Sequence, residues 1–465
     1  MTRDPKMVDV AVVGGGVVGC AVARRFALDG ARVLLLERAP DILAGASKAN
    51  SALLHTGFDA PSDSLELACV QAGYREYLEI RERMNLPLLE TGAMVVAWTE
   101  EDLARLAGME TQARTNGVGD VSMLSPAQVL ARETHLASTV RGALLVPGEH
   151  VIDPWSGPLA YLTQAVQNGA RAWFDAEVLD GALADGVWSL RTSKGTIEAR
   201  TVINCAGLFA DHLETRLLGE ADFVIRPRKG QFVVFDKAAS ALLRTIILPV
   251  PNERTKGLVL ARTIFGNVLV GPTAEEQEDR NRAAVDAEAL RLLAAKAVDM
   301  IPALQRMPVT AVYAGLRPAT ERKDYRVKAD PARRWIRVGG IRSTGLTSAL
   351  GLARHVADLH QAFGDAPFQA VREPLWPHMP NLAEHAARDW QAKDHGEIIC
   401  HCELVTRREI EGALSGLVPA GDFGGLRRRT RAGMGRCQGF YCQARLAALT
   451  AGRLAEPLAV GTCDE

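Results

Sequence analysis

Three groups of residues in this chain have types and spacings that do chemistry. The first is a cysteine quartet near the C-terminus, Cys400, Cys402, Cys437 and Cys442, spaced C-x-C, 34 residues, C-x4-C. Four thiolates hold either zinc or a 2Fe–2S cluster. Zinc sites favour wider knuckles at both ends, so the tight C-x-C weighs against zinc. Glycines around Cys437 leave backbone N–H groups free to bond cluster sulfurs. A reducing compartment disfavours disulfides, so a close cluster points to metal. Cys20, Cys69 and Cys205 read instead as buried small hydrophobes, and Cys463 sits in the tail.

The second group is Gly14-Gly15-Gly16-Val17-Val18-Gly19. Gly14 permits a tight turn, Gly16 lets backbone N–H groups approach a pyrophosphate, and Gly19 lets helix and strand pack closely. The third group is one histidine and several cations. His55 lies in a stretch of small, hydrogen-bonding residues, Asp41 to Phe58, and its titration class suits a general base. A structurally satisfied histidine is the alternative. The other nine histidines have no such placement. Arg317 and Arg342 are candidates to read an anion, with Lys229 and Arg254 weaker ones.

The elements around these residues are built to position them. Val8 to Val13 reads as a buried strand, Cys20 to Leu28 as a helix, and Arg32 to Leu36 as a second strand ending at Glu37. Strand, glycine turn, helix, strand and acid form a dinucleotide site, with the helix N-terminus on the phosphates and Glu37 on the ribose hydroxyls. Thr201 to Gly207 is a strand running into a small-residue turn. Trp335 to Gly340 is another, and the helix after it offers free N–H groups to the electron-rich pyrimidine edge of a flavin. Four prolines between Gly364 and Asn381 mark a linker.

The 465 residues imply several domains, and 48% apolar composition implies packed cores. With 54 Lys and Arg against 55 Asp and Glu the net charge is −1, which disfavours a nucleic-acid binder. No apolar run reaches the roughly 18 residues of a spanning helix, and no secretion signal opens the chain. A cytoplasmic location, with any membrane link through a partner, is the expectation.

Residues 8–360 resemble the D-amino-acid-oxidase-type FAD oxidoreductases. Within them the likeness is to the glycerol-3-phosphate and L-2-hydroxyglutarate dehydrogenase branch. GGGVVG with Glu37, GASKANSALLHTGF, NCAG, RPRKGQFVVFD, GNVLVGPTAEE, GLRPAT and GGIRSTGLTSALGLA carry the likeness. IICHCE and RTRAGMGRCQGFYC resemble bacterioferritin-associated-ferredoxin-type 2Fe–2S domains. The resemblance implies an α/β fold: a Rossmann-like FAD domain, a mixed-sheet α+β cap and a small helical cluster domain. The expected bounds are 1–90, 145–215 and 315–360 for FAD, 91–144 and 216–314 for the cap, 364–392 for the linker and 393–455 for the cluster.

The resemblance further implies FAD contacts at Gly14, Gly16, Val17, Val18, Gly19, Glu37, Arg38, Ser47, Asn50, Ser51, Val178, Ala206, Gly207, Gly340, Ser343, Thr344, Gly345, Leu346 and Thr347. It implies a 2Fe–2S cluster on the four cysteines, with His401 a spacer. His55 would be base or flavin contact, and Arg317 and Arg342 would touch substrate or the flavin edge; a structural ion pair is the alternative for Arg317. The segment Ala261 to Asn267 departs from the family pattern, and Phe265 there puts the inherited substrate in question.

The expected activity is oxidation of a small anionic hydroxy compound, with glycerol 3-phosphate leading, L-2-hydroxyglutarate or another 2-hydroxy acid second, and an amino acid third. Electrons would pass from FAD through the cluster to a second flavoprotein or small carrier in a hetero-oligomer. A non-catalytic electron-transfer subunit is the alternative from another class. The arginines between Arg427 and Arg436 would be a solvated face, a cluster-stabilising shell or a docking patch for another subunit.

Overall fold

A computed structural model describes residues 7–251 and 257–458. Arg254 and Cys463 lie outside the described residues. The strand Met7–Val13 is central to an eight-stranded sheet. It runs parallel to Val33–Leu36 on one side and to Gly195–Asn204 on the other, with Val13 opposite both Leu36 and Asn204. Covered on both faces, these strands are near-continuous apolar runs. The helix Val17–Leu28 makes the crossover between the first two strands. Trp335–Gly339 joins Gly195–Asn204 in parallel, which brings a further strand C-terminus to the same edge. An antiparallel meander, Val178–Ala184 to Val187–Thr192 to Gly195–Asn204, extends the sheet.

Two helices cross at backbone contact behind this edge. Leu65–Ile80 meets Gly345–Gln361 where a Cβ on Gly73 would lie 2.0 Å from the Thr347 carbonyl oxygen, and one on Gly351 would lie 2.1 Å from that of Cys69. Only glycines allow that approach, and it fixes the start of the second helix against the sheet. Cys20, Cys69 and Cys205 are buried among apolar neighbours, as read from the sequence.

A second, nine-stranded mixed sheet is held together by the long antiparallel pair Ile225–Phe235 and Val309–Thr320. It carries apolar cores on both faces, one around Leu144, Ile246 and Phe265 and one around Met94, Val233 and Leu260. The α/β architecture with a mixed-sheet second layer is therefore the one the sequence implies. Residues 364–388 hold no helix or strand, yet they are packed as a strap: Val371 N–H bonds Leu28 O, Met379 N–H bonds Met84 O, and Leu382 and Ala383 are buried.

The C-terminal unit pairs Ile398–Cys400 with Val405–Thr406 and adds helices Arg407–Ser415, Phe423–Thr430 and Gln443–Thr450. Its core is small, built on Ile399, Val405, Ile410, Leu426 and Leu446. So few buried side chains leave the unit dependent on its cysteine site and on contacts with the rest of the chain.

Candidate functional site

The glycine turn is shaped by close backbone packing. Gly14 has φ +114°, and a Cβ there would lie 2.4 Å from the Cys205 carbonyl oxygen. A Cβ on Gly19 would lie 1.8 Å from Gly14 O, so the first helical turn can sit against the strand end only with glycine. Gly16 differs. A Cβ there would meet only Ser47 Oγ, at 3.2 Å, and around Gly45 and Gly207 there is open space. An open trough thus runs past the N-terminus of Val17–Leu28, which suits a pyrophosphate.

Ser47 Oγ accepts from Val17 N–H at 3.1 Å, placing a polar hydroxyl on that helix start; Val18 is half-buried in the same turn. Glu37 sits at the end of the second strand. Its carboxylate accepts from Gly15 N–H at 2.6 Å and Ala39 N–H at 2.9 Å. Burial pushes its pKa up, and those N–H groups oppose the rise.

Arg38 lies over the Phe209 ring at 3.8 Å. Val178 is buried two residues beyond Ala176, whose N–H bonds Glu37 O. Ala206 N–H bonds Asn204 Oδ1, and Gly207 follows with φ +53°.

At the other end, Gly340 and Thr344 both have positive φ, at 68° and 59°. They turn the chain after Trp335–Gly339 so that Ser343 and Thr344 lead into helix Gly345–Gln361, whose first residues are Gly345, Leu346 and Thr347. No side chain caps this helix, so its first N–H groups face outward. Thr344 Oγ1 is held by Tyr325 Oη at 2.7 Å and Glu66 Oε1 at 2.8 Å. Thr347 Oγ1 accepts from His55 N–H at 3.0 Å and donates to Leu53 O at 3.2 Å.

The stretch carrying Asn50 and the half-buried Ser51 is pinned from the second sheet as well. Tyr313 Oη donates to Asn50 O at 2.9 Å, and a Cβ on Gly315 would press on Ala49. Asn50 braces its own loop through Ala52 N–H at 2.7 Å and Ser47 O at 3.2 Å.

His55 is not alone. Its Nδ1 lies 2.8 Å from Glu149 Oε2, a carboxylate with 0% exposure. Glu149 Oε1 also accepts from Thr56 N–H at 2.6 Å and Thr56 Oγ1–H at 2.8 Å. The dyad fixes the imidazole, with Nδ1–H on the carboxylate.

Arg317 is on the same strand as Tyr313 and Gly315, and residues two and four apart share a strand face. It is therefore on the face turned to the 46–55 stretch. Burial pulls its pKa down to about 10, with Arg228 and then Arg342 adding repulsion. Among the described residues its guanidinium hydrogen-bonds only Thr273 O, at 3.4 Å. Gly230 opposite leaves it room, since a Cβ there would lie 2.7 Å from Nη2.

Among the described residues no acid lies within ion-pair distance of Arg317 or Arg342, and the Arg342 Nε is buried without a partner. A structural ion pair for Arg317 is thereby excluded among these residues. Lys229, by contrast, is neutralised by Glu275 at 2.9 Å.

The four cysteines come together as free thiols in two hydrogen-bonded pairs: Cys402 with Cys437, half-buried, and Cys400 with Cys442, buried. Among the described residues no group of three or more His, Cys, Asp or Glu is gathered around a single metal-ion position. Two adjoining thiol pairs match the two irons of a binuclear cluster, each of which takes two ligands. Gly433 N–H points at Cys400 Sγ, 3.5 Å away, and Cys437 accepts from the N–H groups of Tyr441, Gly439 and Phe440, a donor shell that suits a cluster's sulfurs.

Residues 9–359 match the FAD dependent oxidoreductase model. The chain belongs to the FAD-dependent oxidoreductase family. Residues 398–451 of this oxidoreductase match the BFD-like [2Fe-2S] binding domain, so it joins an FAD-binding unit to a 2Fe–2S-binding one. It is 32% identical to a glycerol 3-phosphate dehydrogenase of Caloramator mitchellensis, over 96% of this chain and 95% of the relative. It is 28% identical to one subunit of the anaerobic glycerol-3-phosphate dehydrogenase of Escherichia coli K12, over 96% of this chain and 89% of that one. The dithionite-reduced L-alpha-glycerophosphate oxidase of Mycoplasma pneumoniae with FAD bound superposes with a TM-score of 0.73 at 26% identity, covering 80% of this chain and 97% of the other.

One sequence reading of the oxidoreductase needs correction. Of the five arginines from 427 to 436, Arg436 is exposed and the others are buried or half-buried, so most of the run is not a solvated face. Arg429 is buried and bidentate to Asp41 at 2.7 and 2.8 Å, and Arg428 donates to Ile42 O. Arg431 pairs with Glu403 at 2.8 Å, and Arg436 reaches Asp236 at 2.8 Å. Most of this positive charge is spent inside the chain, seating the cluster unit on the loop that follows Glu37 and on the second sheet. The Phe265 ring is stacked on Trp155 and covered by Arg431.

Glu149, paired with His55, and Asp41, paired with Arg429, are the carboxylates that sequence reasoning missed. Each acts through partners far along the chain, and neither carries a local signal.

Proposed function

We propose that this flavoenzyme is a dehydrogenase that oxidises glycerol 3-phosphate and passes the electrons through its cluster to a partner protein. Bound FAD would supply the hydride acceptor. The trough along Gly16, Ser47 and Gly207 would take its pyrophosphate, Glu37 its ribose, and the uncapped start of helix Gly345–Gln361 its flavin ring. His55 Nε2 would remove the substrate hydroxyl proton, while Glu149 holds Nδ1–H and stabilises the imidazolium that forms. Arg317, helped by Arg342, would bind the phosphate.

The observation that carries this reading is Arg317 itself: a half-buried guanidinium with no acid partner among the described residues, on the face turned to the stretch that holds His55. A partly desolvated cation without a counter-ion is a natural seat for an anionic ligand. The alternative of a non-catalytic relay leaves both this cation and the His55–Glu149 dyad without a task.

The relatives named glycerol 3-phosphate dehydrogenase support the substrate, and the Escherichia coli relative, itself named as one subunit, supports a partner. Phe440 and Tyr441, at 81% and 76% exposure, lie between Cys437 and Cys442 and offer the partner an apolar contact beside the cluster. Anaerobic titration of the purified flavoprotein tests the reading. Glycerol 3-phosphate should bleach the flavin and L-2-hydroxyglutarate and amino acids should not; bleaching by one of those alone would replace the substrate.

A further inference from the structure

We propose that electrons cross from the flavin to the cluster through a fixed junction of Trp155, Phe265 and Arg431, with the cluster unit seated permanently rather than swinging. The inference rests on the relay reading above and names the residues that carry it. Its starting point is Phe265, which the substrate site does not use.

Phe265 is 5% exposed and stacked on Trp155, with ring centroids 5.3 Å apart and planes at 14°. Trp155 Nε1–H donates to Lys48 O at 3.1 Å, inside the stretch that holds Ser47, Asn50 and Ser51. On its other face Phe265 carries the Arg431 guanidinium, 4.1 Å from the ring centroid. Arg431 is buried and bonds Glu403 at 2.8 Å, and Glu403 is the residue after Cys402. One unbroken series of contacts thus leads from the cofactor-facing stretch to a cluster ligand, through the second sheet. Electron tunnelling weakens more steeply across gaps than across packed atoms, so a contiguous stack is the favourable medium.

The seating is locked on two sides. Lys237 of the second sheet reaches Glu403 at 3.2 Å, and the buried Arg429–Asp41 pair holds the far edge. A swinging unit would have to part both, and parting Arg429 from Asp41 would leave two buried charges unpaired. Arg431 also places positive charge on the carboxylate of the residue after Cys402, which favours the reduced cluster. Each transfer oxidises the reduced flavin by one electron and reduces the cluster by one; the partner removes it before the second follows. The junction residues are neither oxidised nor reduced.

The test uses the holoenzyme in anaerobic stopped flow, with glycerol 3-phosphate as reductant and flavin and cluster absorbance followed in the same reaction. Phe265→Leu and Arg431→Met should keep FAD and iron content and wild-type flavin bleaching but slow cluster reduction severalfold. In a redox titration, Arg431→Met should also lower the cluster potential. Arg436→Ala, at the exposed contact with Asp236, should change neither rate. Cluster reduction at the wild-type rate in Phe265→Leu would overturn the junction, and so would equal slowing in Arg436→Ala, because docking as a whole would then set the rate. Should Phe265→Leu not fold, Trp155→Phe replaces it, with slowing expected and wild-type cluster reduction refuting. If the wild-type cluster is never reduced by substrate-bleached flavin, the relay reading itself fails, whatever the variants do.

Discussion

Replacing Glu149 by Gln should disable His55 without disturbing the fold. The carboxylate accepts three hydrogen bonds, from His55 Nδ1–H, Thr56 N–H and Thr56 Oγ1–H. Glutamine keeps the shape, and its carbonyl oxygen can keep both Thr56 bonds. Its amide N–H then faces His55 Nδ1 and turns that nitrogen into an acceptor. The imidazole proton moves to Nε2, the atom that must accept the substrate proton. A charge-assisted bond of this kind contributes about 1.5–3 kcal/mol, and its loss slows the step roughly tenfold to a hundredfold. The tautomer reversal adds to that loss. Anaerobic stopped-flow measurement of flavin bleaching should therefore show a reduced limiting rate at nearly constant apparent substrate affinity. His55→Gln should be as slow, and the double variant no slower than either, because residues that act as a unit are not additive. Wild-type bleaching in Glu149→Gln, or losses that multiply in the double variant, would refute the dyad.

Arg317→Ala should raise KM for an anionic substrate by roughly tenfold to a hundredfold, the loss of about 1.5–3 kcal/mol, with FAD content unchanged. With its pKa drawn down to about 10, Arg317 is cationic below that value and loses its charge as pH rises through it, so KM should climb in that range in the wild type and stay flat in the variant. Cys402→Ser should abolish the visible and paramagnetic signals of the cluster while substrate still bleaches the flavin, and turnover with the natural acceptor should fall; a full cluster signal would remove Cys402 from the ligand set. Asp41→Asn should leave Arg429 buried without its counter-ion, at a cost of about 3–5 kcal/mol, and loosen the cluster unit. Limited proteolysis should then cut between residues 384 and 398, ahead of the cluster unit, well before the wild type is cut, and equal resistance would show that the pair is not a clamp.

What the sequence determined by itself is local. The glycine turn, its flanking strand and helix and the acid at its end lie within one short span, and the periods and steric needs of those residues specify the arrangement. The cysteine quartet is similar: two short spacings, with glycines beside them, restrict the chemistry to a few metals before any fold is known. The candidacy of Arg317 as an anion reader, by contrast, comes through the family resemblance of its block and not from spacing.

Tertiary structure decided everything that depends on who meets whom. Glu149 lies 94 positions from His55, and Asp41 lies 388 from Arg429. An acid on its own says nothing of the base it will hold, because side-chain pairing across a fold is set by how strands and helices stack. The arginine run shows this most clearly. Its charge density reads as a surface, yet the cluster unit has too small a core to stand apart, and the run is drawn into buried pairs with Asp41 and Glu403. Phe265 reads as an anomaly in a substrate loop and proves to be the ring between Trp155 and Arg431, a place defined only once three distant segments are brought together.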